Sequence, residues 1–152
     1  MKPGEELDWY LEAHSMPEDD VLAELHRYTH LKVIHPQMLS GPVLGGFLRM
    51  ISKMIQPASV LEIGTYTGYS AICLAAGLQD DGRLTTIEVN DEIAEIASVF
   101  FKKAGIRDRI DLKIGDALDI LPTLDQSYDL VFIDANKEHY IRYYDLIIDK
   151  VK

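Results

Sequence analysis

Apolar side chains recur at helical spacing through the first third of the chain. Positions three and four residues apart predict a helix over Glu5–His14. Residues 15–18 have the form of a capping box, with Ser15 and Glu18 at its two ends. They open a second predicted helix that ends at His35-Pro36. A third helix is expected over residues 42–55. We therefore interpret residues 1–57 as a helical N-terminal cap.

The pattern changes from Ser59 onward, where short apolar runs alternate with helical segments. The runs predict four strands, at residues 60–63, 84–89, 110–114 and 129–134. The helical segments cover residues 69–78, 91–103, 117–121 and 138–150. Strands alternating with helices predict an α/β fold, in which a parallel sheet is covered on both faces. Residues 58–152 would form this Rossmann-like core, and the whole chain one domain.

Polar residues stand where each predicted strand ends, which is where open parallel sheets bind their ligands. They are Glu62 with Gly64, Glu88, Asp116 and Asp134. The sequence therefore predicts one binding site built from all four strand ends.

The segment after the first strand carries the clearest chemistry. Gly64 permits a tight turn, and Gly68 opens a helix whose free amide groups favour an anion. Glu62 suits a ligand ammonium better than a pyrophosphate, and Ser70 is placed to meet a carboxylate. Tyr66 stands where a dinucleotide fingerprint needs glycine. These features favour an amino-acid moiety as the ligand, although a turn with no ligand remains the alternative.

Two further strand ends suit the rest of a nucleoside ligand. Glu88 lies 24 residues after Gly64, near the offset at which an acid binds ribose hydroxyls. Ala117 is small enough for an adenine ring to lie against the backbone, while Asp116 could equally be a helix cap.

Asp134 and Lys137 follow the most apolar strand. A carboxylate and a lysine in one cleft suit a hard metal ion and a proton acceptor. The alternative is an ordinary surface aspartate beside a solvated lysine.

Charge and cysteine content indicate which kinds of partner and which cellular location to expect. The net charge of −10 disfavours nucleic acid and membranes. Cys73 is the single cysteine, and the N-terminus has no apolar signal region, so we expect a cytoplasmic protein. The expected partners are a small-molecule hydroxyl acceptor and a second copy of the chain.

These motifs together resemble the cation-dependent O-methyltransferases, a family that includes catechol and caffeoyl-CoA O-methyltransferases. The matching segments are residues 38–45, 61–70, 87–88, 115–117 and 132–137. The resemblance implies a class I methyltransferase fold that binds S-adenosylmethionine. Glu62 would hold the methionine ammonium, Ser70 the carboxylate, and Gly64 and Thr65 the rest of that moiety.

The resemblance assigns the remaining site residues as well. Glu88 would bind ribose, Ala117 would lie by adenine, and Met38 to Ser40 would flank the cofactor. Asp134 would contact the cofactor and ligate Mg²⁺, and Lys137 would take the proton of the acceptor hydroxyl. The acceptor would be a catechol-like or acyl-CoA-linked phenol.

One departure concerns the C-terminus. The family's metal site needs a further Asp-Asn pair after a fifth strand, and this sequence stops at Val151-Lys152. We therefore expect a fragment of a longer protein, or a fourth strand whose edge pairs with another chain, and little or no catalysis. Two other functions remain open: a non-catalytic S-adenosylmethionine-binding interaction module, and a nucleotide-cofactor oxidoreductase.

Overall fold

Within residues 5–152, which the computed structural model describes, the chain forms seven α-helices and four β-strands. The helices are α1 (Glu5–His14), α2 (Asp20–Lys32), α3 (Gly41–Ile55), α4 (Tyr69–Ala75), α5 (Asp91–Lys103), α6 (Ala117–Ile120) and α7 (Tyr140–Ile147). The strands are β1 (Ser59–Ile63), β2 (Arg83–Glu88), β3 (Ile110–Ile114) and β4 (Leu130–Ile133). Short 3-10 turns precede and follow α7, at Lys137–His139 and Ile148–Lys150.

The strands form one parallel sheet in the order β3-β2-β1-β4. The register places Glu62 of β1 opposite Thr86 of β2, and Leu61 opposite Val131 of β4. A parallel sheet of this order brings all four carboxyl ends to one edge. The predicted α/β fold is thus confirmed.

The two faces of the sheet bury separate apolar clusters, because successive strand residues point to opposite sides. Val60 and Leu84 pack with residues of α2 to α5. Leu61 and Ile87 pack with α6, α7 and the segment between α6 and β4. Leu22, Leu25 and Leu48 of the N-terminal helices belong to the first cluster. The N-terminal helices therefore share an apolar cluster with one face of the sheet.

The predicted capping box at Ser15–Glu18 is wrong. Helix α2 begins at Asp20, and the Asp19 carboxylate accepts a hydrogen bond of 3.0 Å from the Leu22 amide. Glu18 instead accepts a hydrogen bond from the Tyr69 hydroxyl at 2.6 Å. The Glu18 side chain, which the capping box required, is thus engaged in a tertiary contact.

Strand β4 lies at one edge of the sheet, and its four residues are only partly buried. Beside its start, Val151 forms a single parallel bridge with Tyr128. Asp129, just before β4, accepts hydrogen bonds of 2.9 Å from the amides of Ala58 and Ser59. These bonds fix the start of β4 against the start of β1.

None of the helices between residues 5 and 152 has the length and apolar content needed to cross a bilayer.

Candidate functional site

A cavity of about 420 Å³ opens at the carboxyl ends of the four strands. This volume is in the range of small-molecule sites. Most of the residues singled out from the sequence line it: Met38, Ser40, Gly64, Thr65, Ser70, Glu88, Ala117 and Asp134. Two are not among its lining residues. Glu62 is fully buried, and Lys137 lies on the exposed turn after β4.

The loop after β1 contains a glycine whose conformation and contacts exclude a side chain. Gly64 has φ +103°, and a Cβ atom there would lie 2.5 Å from the carbonyl oxygen of Asp134. The Gly64 amide donates to the carbonyl of Ile87, 3.0 Å away. The loop is thus held against the ends of both β2 and β4.

Three successive side chains anchor the same loop to three other parts of the chain. The hydroxyls of Thr65 and Thr86 lie 2.5 Å apart, and those of Thr67 and Thr29 lie 3.0 Å apart. Between them, the Tyr66 hydroxyl lies 3.1 Å from the carbonyl oxygens of both Ile34 and His35, which share its one proton. Sequence reasoning missed these anchors, because each partner lies more than 20 residues away.

Tyr66 also links the site to the connection between α2 and α3. Its backbone has φ +49°, a left-handed conformation that costs energy in a residue other than glycine. The segment that its hydroxyl holds continues into Met38, Leu39 and Ser40, which form one wall of the cavity. The dinucleotide-type turn is therefore kept here with a tyrosine in place of glycine.

Glu62 is fully buried, and one of its two carboxylate oxygens has no partner. Thr86 donates to Oε2 at 2.5 Å, whereas Oε1 makes no hydrogen bond in the described part of the chain. The pKa of Glu62 is raised to about 7 by the balance of several effects: desolvation raises it most, the hydroxyls of Ser70 and Thr86 lower it, and the carboxylates of Asp134 and Glu88 raise it. A buried oxygen of this kind is costly unless a ligand supplies its partner.

Glu88 is almost fully buried at the end of β2. Its Oε2 accepts from the Tyr66 amide at 2.7 Å, and its Oε1 accepts from the Asn90 amide at 3.0 Å. These bonds hold the carboxylate in one orientation at the cavity wall, with further lone pairs left for a ligand.

The ends of β3 and β4 complete the cavity with helix caps. Asp116 caps α6 by accepting a bond of 2.8 Å from the Leu118 amide, which was one of the two roles open for it, and it also lines the cavity. Ala117 is buried beside it. His139 and Tyr143, which the sequence reasoning did not select, line the opposite side with their rings edge to face.

Asp134 stands at the cavity rim next to Lys137. Partial desolvation raises the pKa of the Asp134 carboxyl, and the nearby Lys137 ammonium lowers it. Within residues 5–152, no three His, Cys, Asp or Glu side chains come together as a set that could hold a metal ion. The described residues therefore do not amount to a metal site, and metal binding by Asp134 stays a prediction.

Comparison with known sequences identifies relatives of one kind. A family model described as O-methyltransferase matches residues 12–152. Caffeoyl-CoA O-methyltransferase 2 of Eucalyptus globulus is 41% identical over 114 residues, which are 71% of this chain and 46% of that protein. Caffeoyl-CoA O-methyltransferase of Medicago sativa is 35% identical over 153 residues, covering 95% of this chain and 61% of that protein. The chain spans about half the length of the curated relatives it matches.

Solved structures agree with the sequence comparison. The O-methyltransferase TomG from Streptomyces achromogenes, involved in tomaymycin synthesis and solved in complex with SAM, superimposes with a TM-score of 0.91 at 33% identity. That match covers 100% of this chain and 71% of TomG. An O-methyltransferase from Bacillus cereus in complex with SAH gives a TM-score of 0.89 at 30% identity, covering 97% of this chain and 68% of that one.

Proposed function

Because this chain belongs to the O-methyltransferase family, we propose that its cavity binds S-adenosylmethionine and that the protein methylates a hydroxyl of a small acceptor. The observation that carries the proposal is the buried Oε1 of Glu62, which has no hydrogen-bond partner among the described residues. The ammonium of an amino-acid moiety is the partner it lacks. Two structural neighbours, solved with SAM and SAH, support the same ligand.

The methionine portion would lie along the loop after β1. Glu62 would accept from the ammonium, and Ser70, at the start of α4, would donate to the carboxylate. Gly64 and Thr65 would contact the methionine carbon atoms between the ammonium and the sulfur. No side chain at position 64 blocks their approach.

The adenosine portion would lie across the ends of β2 and β3. Glu88 would accept from the ribose hydroxyls, and its two backbone bonds keep it in place for that role. Ala117 would contact adenine, and Met38 and Ser40 would cover the cofactor from the N-terminal side.

The bound cofactor supplies an electrophilic methyl group on a sulfonium. An acceptor hydroxyl oxygen would form the new bond to that methyl while the carbon–sulfur bond breaks, and Lys137 would take the hydroxyl proton. The two caffeoyl-CoA O-methyltransferases among the relatives support a phenolic acceptor, which we propose to be either catechol-like or carried on an acyl-CoA. Turnover by Lys137→Ala, with cofactor affinity as the control, tests this role: turnover should fall and affinity should not.

A divalent cation such as Mg²⁺ remains part of the proposal only as a requirement to be tested. Asp134 is the single carboxylate that we assign to it, and one carboxylate is a weak site for Mg²⁺. Full turnover in excess chelator would remove the metal from the proposal.

A homodimer and a cytoplasmic location complete the proposal. The net charge of −10 supports a small-molecule partner over nucleic acid or a membrane surface. Sedimentation of the chain tests the dimer.

Calorimetric titration with S-adenosylhomocysteine tests the cofactor assignment. Glu88→Ala should weaken binding by about 1.5–3 kcal/mol, as for hydrogen bonds to a charged group. Glu95→Ala, which removes an exposed acid of α5, is the matched control and should bind like the unaltered chain. NAD binding as tight as that of S-adenosylhomocysteine would instead favour an oxidoreductase. Cofactor binding without transfer to a catechol would favour a non-catalytic module.

A further inference from the structure

We infer that Thr86, with Thr65 behind it, is a positioning residue that orients the Glu62 carboxylate toward the ammonium group of the ligand. The inference rests on the proposed function, since it concerns the amino-acid end of the same cofactor. Neither threonine side chain is needed to form the sheet, because strand pairing uses the backbone alone.

The three side chains form a continuous hydrogen-bonded series. Glu62 and Thr86 are direct cross-strand partners in the register of β1 and β2. The Thr86 hydroxyl donates to Glu62 Oε2 at 2.5 Å, and the Thr65 hydroxyl lies 2.5 Å from that of Thr86. All three residues are at most 1% exposed, so water does not compete for these bonds.

The direction of the series follows from the number of protons. A hydroxyl has one proton, and Thr86 gives its proton to the carboxylate. In the bond between the two threonines, Thr65 must therefore be the donor. Both hydroxyls thus point their dipoles at Glu62, which stabilises the carboxylate form of that side chain.

The series also decides which oxygen is left for the ligand. Thr86 occupies Oε2, and Oε1 is the atom without a partner. Ser70 lines the cavity, and its hydroxyl is close enough to Glu62 to lower the pKa of that carboxyl, so the carboxylate has a neighbour at the cavity wall. A carboxylate held at one oxygen and free at the other is suited to receive a single ammonium group.

Thr85 offers a matched control on the same strand. It is as deeply buried as Thr86, but its hydroxyl accepts from the Gln126 amide at 3.2 Å on the other face of the sheet. Thr85→Val therefore removes a buried hydroxyl from β2 without touching the series at Glu62.

The experiment compares two ligands by calorimetry: S-adenosylhomocysteine, and methylthioadenosine, which has no amino-acid moiety. Thr86→Val should weaken S-adenosylhomocysteine binding about 10- to 100-fold and leave methylthioadenosine within about threefold. Thr86→Ser should restore most of the lost affinity, and Thr85→Val should bind both ligands like the unaltered chain. Thr65→Val serves as a second variant if Thr86→Val does not fold, with a loss of about three- to tenfold confined to the same ligand.

The outcomes separate this inference from the function it rests on. Equal losses for both ligands, or equal effects of Thr86→Val and Thr85→Val, would overturn the positioning role while the cofactor assignment stands. Failure of the unaltered chain to bind S-adenosylhomocysteine would overturn both.

Discussion

Glu62→Gln is expected to remove a pH-dependent loss of stability that the buried carboxyl imposes. The group is fully buried, and its pKa is raised from 4.5 to about 7, chiefly by desolvation. The carboxylates of Asp134 and Glu88 add to the rise, and the hydroxyls of Ser70 and Thr86 oppose it. A shift of this size corresponds to roughly 3 kcal/mol of differential stability.

The sign follows from the protons bound in each state. Between pH 4.5 and 7 the folded protein keeps the Glu62 proton, whereas the unfolded chain has lost it. The free energy of unfolding contributed by this group is therefore fully present below pH 4.5 and falls as the pH rises to about 7. Glutamine fills a similar space but does not ionise, so the variant escapes this loss.

The assay is urea unfolding of both proteins at several pH values from 5 to 8, without ligand. The stability of Glu62→Gln relative to the unaltered chain should increase by roughly 2–3 kcal/mol across this range, since taking the difference cancels other titrating groups. Glu95→Gln, at an exposed site, should give a constant difference. A pH-independent difference for Glu62→Gln would refute the reasoning, because it would mean that the carboxyl titrates alike in both states.

Substitutions at Gly64, Tyr66 and Asp129 test three other features. Gly64→Ala combines a positive φ with a backbone clash, so it should lower the free energy of unfolding by about 2–6 kcal/mol in thermal or urea unfolding. The control Gly46→Ala, in open space on α3, should be neutral or stabilising. Equal effects of the two substitutions would contradict the close contact at Gly64. Tyr66→Phe removes the hydroxyl that bonds to residues 34–35, so proteolytic cleavage within residues 34–40 should be faster. An unchanged cleavage rate would show that this hydrogen bond does not restrain the segment. Asp129→Asn should lower the free energy of unfolding by about 1 kcal/mol, because a charged acceptor of two amides is lost; no change would assign those bonds little weight.

Much of the fold could be predicted because the strands are apolar runs ended by polar residues. The helices at Glu5–His14 and Asp91–Lys103 and the strand at Ile110–Ile114 were predicted with the bounds that the structure has. Helix α4 ends three residues earlier than predicted, at Ala75 rather than Leu78.

The remaining features depend on contacts between distant parts of the chain. Ser15 and Asp19 are both suitable caps by residue type, but the Ser15 hydroxyl donates to the Leu11 carbonyl and Glu18 accepts from Tyr69, so Asp19 becomes the cap. The pairing of Glu62 with Thr86 likewise depends on the register of two strands, which residue composition does not specify. Sequence reasoning placed Glu62 beside the ligand loop but had no signal for its complete burial or its free oxygen.

The contact between Gly64 and Asp134 joins the two halves of the site mechanically. Gly64 belongs to the loop assigned to the cofactor, and Asp134 belongs to the turn assigned to the acceptor. Their backbones lie too close for a methyl group to fit between them. A ligand that displaces either backbone must therefore displace the other. The two binding free energies are then linked, and linkage is reciprocal: whatever factor the cofactor applies to acceptor affinity, the acceptor applies to cofactor affinity. Communication of this kind between the two proposed ligands would need only this backbone contact and no moving domain.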